Sequence, residues 1–572
     1  MNFLISYVRP YFGRMAVGVS IKFLGTIMDL LLPWILAYII DSVIPLRQVQ
    51  RVYLWGGVMV LCSVIAIVTN IVANRMAARV ARDTTQRVRA DLFAKVSSLA
   101  TAQVEDISVP SLVSRLTTDT YNIHQTVGMV QRLGIRAPIL LIGGIFITFT
   151  LDPVLTLVLL SLLPLTILVV TKISRKGIPL FSQQQTSVDE LVRTVRENIS
   201  GARVVKALSK ADYEKKRFKT VNQALVDAET AANVTMAATP PLMDLFLNLG
   251  LTLVILVSAY RVNESLTQPG VIVAFLTYFT IILNAMLSVT RIFTVFSRGI
   301  ASADRIAAVI KEPQLLQTQA HNTEDSQAYL AFHNVDFHYP AAGRTLKGLN
   351  FEVAKGETLG ILGATGSGKS TIAKLLLRLY DPTDGQIILA GQDLRSYEAA
   401  KFYPQFGVVL QKDVIFADTL RENIAFGRTF TDEEIWEAIR NAQAEEFVSQ
   451  LPGTLSYHLE SKGANLSGGQ KQRVLLARAM VGHPALLLLD DSASALDYKT
   501  DARLRKVLRE QFASSTKIII AQRISSIQHA DKILLLAAGQ IIGIGSHTEL
   551  LAENEVYQAI YQGQTGGEAI VS

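Results

Sequence analysis

In the first half of the chain, uncharged apolar runs of 23, 18 and 20 residues lie at Val52–Asn74, Val154–Thr171 and Val271–Thr290. As helices rising ~1.5 Å per residue, each is about long enough to cross a hydrocarbon core of ~30 Å. Three further runs predict spans: Met15–Ile40, interrupted by Lys22 and Asp29, then Arg132–Leu151 and Leu242–Tyr260. The connections Asp41–Arg51, Leu151–Pro153 and Arg261–Pro269 are short and hold few basic residues. Those at Arg75–Gln131 and Lys172–Pro241 are long and carry charges at helical spacing. This asymmetry predicts helices that continue into the cytoplasm, with both termini inside.

The pattern changes after Arg298. Lys311–Tyr329 reads KEPQLLQTQAHNTEDSQAY, polar and aperiodic, and beyond it short runs such as LGIL, QIILA and TKIIIA alternate with helical segments. The expected organisation is a six-span α-helical membrane domain over 1–312, a linker over 313–329 and an α/β domain over 330–572. No internal repeat or low-complexity tract interrupts it.

Composition agrees with a chain partly in lipid: half of the 572 residues are hydrophobic and the mean hydropathy is +0.31. The net charge of +7 follows the spans, at Arg75, Arg79, Arg82, Arg87 and Arg89 and again at Lys172, Arg175 and Lys176. That placement fits a multi-pass protein of the cell membrane, with lipid as its neighbour, and not a nucleic-acid binder, which interleaves basic patches with exposed aromatics. The single cysteine, Cys62, lies inside an apolar run and excludes an intramolecular disulfide. The first residues, MNFLISYVRPYFGRM, lack a cleavable-signal pattern, so targeting is expected from the spans.

The chemistry concentrates in the second half. Gly363-Ala-Thr365-Gly366-Ser367-Gly368-Lys369-Ser370, followed by Thr371, sits between a strand-like run (Thr358–Leu362) and a helix-like run to Leu379, the context a P-loop requires. Glycines let backbone N–H groups curl around phosphates, Lys369 reaches the β and γ phosphates, and Ser370 can ligate Mg2+. A second strand, ALLLLD, ends in Asp490, which can hold the metal from the other side or cap a helix. These residues point to ATP and Mg2+.

Between these motifs lies Leu466-Ser467-Gly468-Gly469-Gln470, followed by KQRVLLARAM, and here the chain resembles the ABC ATPase family. The resemblance implies that this signature caps a helix aimed at the γ-phosphate held by the opposite subunit. It also makes Tyr339, in VDFHYP, similar to the aromatic that stacks on adenine, though taken alone the residue reads as packing. Gln411, in VVLQKD, resembles the Q-loop glutamine beside the Mg2+, and Asp497, in Ser494–Asp497, resembles the D-loop residue at the dimer interface or is a helix cap. The six spans look like an exporter-type domain, and Ser111–Asp119 and Glu197–Phe218 resemble loops carrying coupling helices.

Two positions depart from the family pattern. Asp491 stands where active members carry the glutamate that acts as general base or positions the attacking water, and Gln522 stands where the switch histidine is expected. The resemblance therefore narrows to the degenerate-site subunit of heterodimeric exporters. The partner is then a second half-transporter with an intact glutamate and histidine, and the cargo a hydrophobic or amphipathic compound. An ATP-gated channel or regulatory subunit, and a homodimeric exporter, are the other readings. In the membrane half, Asp29, Asp244 and Asn284 are candidate cargo contacts, with Asp29 alternatively pairing with a neighbouring helix, and Lys22 is expected to snorkel to the membrane edge.

Overall fold

The computed structural model describes residues 2–313, 315–316, 318–319, 328–339 and 343–565. Most of the expected linker and the last seven residues of the expected α/β domain lie outside them. The chain divides into two compact units, Met1–Ser97 with Val109–Glu312, and Ser98–Ser108 with Pro313–Ser572.

The first unit is helical: α1 (Phe12–Tyr38), α2 (Val49–Ser97), α4 (Thr120–Leu151), α5 (Pro153–Ser200), α6 (Ala211–Ala237), α7 (Thr239–Asn263) and α8 (Pro269–Ile310). Among the described residues, six helical segments are long and apolar enough to cross a membrane. Three short turns join pairs of them where the sequence breaks. Asp152 caps α5 by accepting from the N–H groups of Val154 and Leu155 at 2.9 and 3.2 Å, Pro153 fills the first helical position, and Arg261 Nε closes on the same carboxylate at 2.9 Å. Helices α2 and α5, of 49 and 48 residues, outrun their apolar stretches as the charged periodic sequence predicts.

One expectation for this unit is corrected. Lys22 does not snorkel: it is 4% exposed, and its Nζ donates to Asn70 Oδ1 and Asn74 Oδ1 on α2 at 2.7 and 3.1 Å. Two side-chain amides replace the water that snorkelling would have supplied. Ser111–Asp119 belongs to the helical unit, where Asp119 is 2% exposed and accepts from Ser302 Oγ at 2.8 Å and Arg305 Nε at 3.0 Å. The stretch that sorts with the second unit is ten residues earlier, around α3 (Thr101–Ile107). There Glu105 accepts from Tyr380 Oη at 2.6 Å and pairs with Lys374 at 3.5 Å, and Gln103 Nε2 donates to Pro313 O at 2.8 Å.

The second unit holds two sheets. Strands β1 (Leu330–His338), β2 (Arg344–Val353), β4 (Asp384–Leu389) and β5 (Gln392–Asp393) form an antiparallel sheet in the order β2-β1-β4-β5. Strands β3 (Thr358–Gly363), β6 (Phe406–Val409), β7 (Leu486–Asp490), β8 (Thr516–Ile520), β9 (Lys532–Ala537) and β10 (Gln540–Gly545) form the other, in the order β10-β9-β3-β8-β7-β6. All of its pairings but β10–β9 are parallel. Strand β7 is buried along its whole length, as the unbroken apolar run ALLLLD requires of a strand covered on both faces. Helices α9 (Lys369–Leu376), α10 (Gly468–Met480), α11 (Tyr498–Glu510) and α12 (Glu555–Thr565) complete the parts used below. Helix α9 stops three residues short of the expected Leu379, and Arg378 turns to φ 48° just beyond it.

Asp119 gives a test of the helical unit. Replacing it with alanine strands Ser302 and Arg305, and is expected to cost about 1–3 kcal/mol. Arg305→Ala should cost more than Asp119→Ala only if the guanidinium, which is half exposed, contributes beyond the pair; the expected order is the reverse, read from thermal unfolding midpoints in detergent.

Candidate functional site

Parallel pairing places the carboxyl ends of β3, β6, β7 and β8 on one edge, where open α/β sheets take ligands. Ile361 on β3 and Asp490 on β7 both align with Ile520 on β8, and Val409 on β6 aligns with Leu489. The segments leaving these ends enclose a cleft of ≈ 330 Å³ lined by Thr365, Gly366, Gly368, Lys369, Ser370, Thr371, Gln411, Asp490, Asp491 and Gln522, together with Thr345, Ile520 and Ala521. Four separate sequence motifs therefore meet in one place.

The P-loop obtains its shape from glycines at two positions. Gly366 has φ 83° and Gly368 has φ 108°, and a Cβ on Gly368 would lie 2.6 Å from Leu346 Cδ2. The turn delivers the N-terminus of α9 to the cleft, where the first N–H groups have no carbonyl within their own helix. Lys369 Nζ donates to the carbonyls of Gly363 and Ala364 at 2.7 and 2.9 Å. Ser367 is 4% exposed and its Oγ has no partner among the described residues. A cradle of open N–H groups, a lysine and an unsatisfied hydroxyl is the donor set a polyphosphate satisfies.

The acidic wall is Asp490, 5% exposed and hydrogen-bonded to the Ser370 hydroxyl. Burial raises its carboxyl above the ordinary aspartate value, the bond to Ser370 counters that, Asp491 adds to it and Lys369 opposes it. Burial likewise pushes the Lys369 ammonium down, against the pull of Asp490 and Asp491. Ser370, Asp490 and Gln411 together offer oxygen ligands of the kind a hard divalent cation takes.

Asp491 follows at the end of β7 with φ 55°, a left-handed conformation that aspartate adopts more readily than longer side chains. Its N–H donates to Ile520 O at 2.9 Å. Tyr339 sits at the margin of the cleft: its Oη lies 3.3 Å from Thr371 Oγ1, Lys374 Nζ stands 5.3 Å over its ring, and Phe337 and Tyr380 meet it edge-on.

The signature lies elsewhere. Leu466 is buried, Ser467 caps α10 by accepting from Gln470 N at 3.3 Å, and Gln470 Oε1 accepts from Ser467 N at 2.9 Å. None of Leu466, Ser467, Gly468, Gly469 and Gln470 lines the P-loop cleft. Asp497 caps α11, accepting from Thr500 N at 2.9 Å. In the helical unit Asp29 accepts from Arg136 on α4 at 3.0 Å and from Asn70 at 3.4 Å, so the pairing alternative holds for it, whereas Asp244 and Asn284 are exposed.

The chain is similar over nearly its whole length to proteins described as ABC transporter ATP-binding proteins. It is 33% identical over 570 residues to the uncharacterized YfiB of Bacillus subtilis (strain 168), covering 99% of both chains. The chain belongs to the ABC transporters. Family models match it at residues 15–286, described as the ABC transporter transmembrane region, and at 346–494, described as ABC transporter. The uncharacterized Rv1273c of Mycobacterium tuberculosis (strain ATCC 25618 / H37Rv) is 32% identical over 569 residues, covering 97% of this chain and 96% of that protein. The ABC transporter's fold also matches a solved bacterial Atm1-family ABC exporter with ATP bound, at TM-score 0.80 and 24% identity over 98% and 99% of the two chains. This is a half-transporter with an exporter fold, and its second unit is of the family that binds ATP.

Two residues at this ABC transporter's site escape sequence reasoning. Gln472 on α10 donates to Asp491 O at 3.1 Å and accepts from Ala495 N at 3.0 Å. Gln564, near the end of α12, donates to Gln522 O and accepts from Ile524 N, both at 2.8 Å, and so bridges the backbone of the segment that carries Gln522. Neither stands at a recognisable spacing from the motif it serves.

Two outcomes follow from this geometry. A proton on Asp490 competes with a divalent cation, and its raised pKa moves that competition upward in pH. Apparent Mg2+ affinity in fluorescent-nucleotide binding should therefore fall as pH drops, starting above the ordinary aspartate range of about 4; in Asp490→Asn the profile should be weak and flat. Gln564→Ala should loosen 522–526 by about 1–2 kcal/mol, seen as faster amide exchange there with unchanged nucleotide affinity.

Proposed function

We propose that this chain is one half of a heterodimeric exporter that moves hydrophobic or amphipathic compounds out of the cell, with its nucleotide-binding domain, over 330–572, on the cytoplasmic side. Its own P-loop site holds Mg-ATP and turns it over slowly, while its signature serves a competent site on the partner. The observation that carries the reading is the contrast within one cleft: the binding groups are complete, yet Asp491 and Gln522 occupy its catalytic edge.

Lys369 and the α9 N-terminus face the phosphates, Tyr339 supports the base, and Ser370, Gln411 and Asp490 hold the cation, which neutralises phosphate charge when bound. Asp491 is one methylene short of the glutamate the chemistry asks for. A displacement of ~1 Å at a catalytic group costs ~10²-fold in rate. Gln522 can donate a hydrogen bond but carries no positive charge and relays no proton; loss of one transition-state donor costs ~10²- to 10³-fold. Binding needs neither residue, so affinity and turnover separate.

The exposed, capped start of α10, outside its own chain's cleft, supports a site completed by another chain. A homodimer would place Asp491 and Gln522 in both sites and forfeit turnover twice, which favours a partner with the intact glutamate and histidine.

Purified alone, the chain should bind ATP with little hydrolysis, and co-purification should recover a second half-transporter. Asp491→Glu combined with Gln522→His should raise turnover at the slow site by about 10-fold or more. Fast hydrolysis by the unmodified chain alone would sink the slow-site assignment. Dye transport into inverted vesicles that survives loss of the partner's catalytic glutamate would favour a gate over a pump.

A further inference from the structure

Between α1 and α4 of the helical unit runs an apolar cavity of ≈ 550 Å³ walled by Phe23, Ile27, Leu31, Ile139, Ile142 and Phe146. Ile142 and Phe146 are each 68% exposed, so the groove opens at the surface of the unit. Its surroundings are charged unevenly. Leu30 lies against Gly143, and eight residues earlier on each helix Lys22 comes level with the turn that carries Arg132 and Arg136.

Among the described residues, Lys22, Arg132 and Arg136 stand near one another with the single carboxylate of Asp29, outside the apolar lining itself. Lys22 is held by two neutral amide oxygens, those of Asn70 and Asn74. Arg132 donates through Nε to Gly128 O at 3.1 Å. Arg136 uses one amino group on Asp29 at 3.0 Å, its side chain is 40% exposed, and its Nε is buried with no partner among the described residues. Two positive charges are left uncompensated in an apolar setting, a costly state that an incoming anion relieves.

We propose that this groove and its cationic end form a binding site for a single-chain amphiphile with an anionic phosphate or carboxylate head. Resting on the exporter reading above, this gives the transported class a charge. The chain lies along Ile27, Ile142 and Phe146, and the head meets the planar guanidinium donors of Arg132 and Arg136, which suit oxyanions better than a point charge does. A neutral head leaves both excess charges unmatched, and a cationic head is repelled.

The test uses the full chain with its co-purified partner in nanodiscs of zwitterionic lipid, and equilibrium binding of radiolabelled dodecyl phosphate. Saturable binding is expected that inorganic phosphate does not displace, with no comparable binding of dodecyltrimethylammonium. Arg132→Gln, which leaves the Arg136–Asp29 pair in place, should weaken dodecyl phosphate about tenfold, and Ile142→Trp, which fills the groove and keeps the cations, should weaken it as well. Equal binding of the two head groups, displacement by inorganic phosphate, or undiminished binding in both variants overturns the site. Partner-dependent ATPase on the same preparations separates the two readings. ATPase intact with no saturable dodecyl phosphate binding overturns the site alone, whereas saturable binding without ATPase overturns the exporter reading alone.

Discussion

Everything at the nucleotide cleft depends on the parallel register of β3, β8, β7 and β6. The row Ile361, Ile520, Asp490 sets the P-loop, the switch segment and the acidic strand end at one level, within reach of one polyphosphate. A one-residue slip of β7 would turn Asp490 to the other face of the sheet and carry Asp491 away from the cleft. Nothing in the motifs themselves enforces that level. It is held by burial of LLLLD on both faces and by main-chain bonds such as Asp491 N to Ile520 O and Ala521 N to Ile361 O. The apolar core of the sheet is what makes the polar edge a site.

The same dependence explains what could be read from the sequence. The P-loop is legible because it is a contiguous string whose chemistry is local, whereas the signature and the residues Asp491 and Gln522 stand out only against the family pattern that the chain resembles. The α/β pattern and six long apolar helices are legible because burial and lipid impose periods and lengths on composition. Gln472 and Gln564 are not legible, since their partners lie 19 and 42 residues away and the contact exists only once helix and loop are packed. Lys22 shows the converse. Its snorkelling follows from an isolated helix in a membrane, but the rotation of α2 brings Asn70 and Asn74 to it, and that rotation is a tertiary fact. Ser111–Asp119 and the α3 stretch lie close in sequence yet join different units: Asp119 meets Arg305, while Glu105 meets Tyr380.

Electrostatics divides the chain's two halves in an instructive way. In the nucleotide cleft, Lys369 and the helix terminus face Asp490 and Asp491, so opposite charges share a small volume and a ligand bearing both phosphates and a cation rebalances them. In the helical unit, the charges around Asp29 do not balance internally, and the excess is carried by arginines with unspent donors. On the proposal made for the groove, an anionic head group would supply the missing charge.

Gln472 joins the acidic strand end to the helix that follows the signature. Its amide ties α10, the helix that the signature begins, to the backbone of Asp491 and, through Ala495, to the segment leading to Asp497. The end of β7 and α10 are therefore tied through one side chain. On the heterodimer reading, nucleotide held at the slow site sets the position of Asp490 and Asp491, and Gln472 passes that position to the signature presented to the partner's site. Catalytic power at the slow site contributes nothing to this; occupancy does. On that reading, a site that binds firmly and hydrolyses slowly would keep the signature in place through many turnovers of its partner.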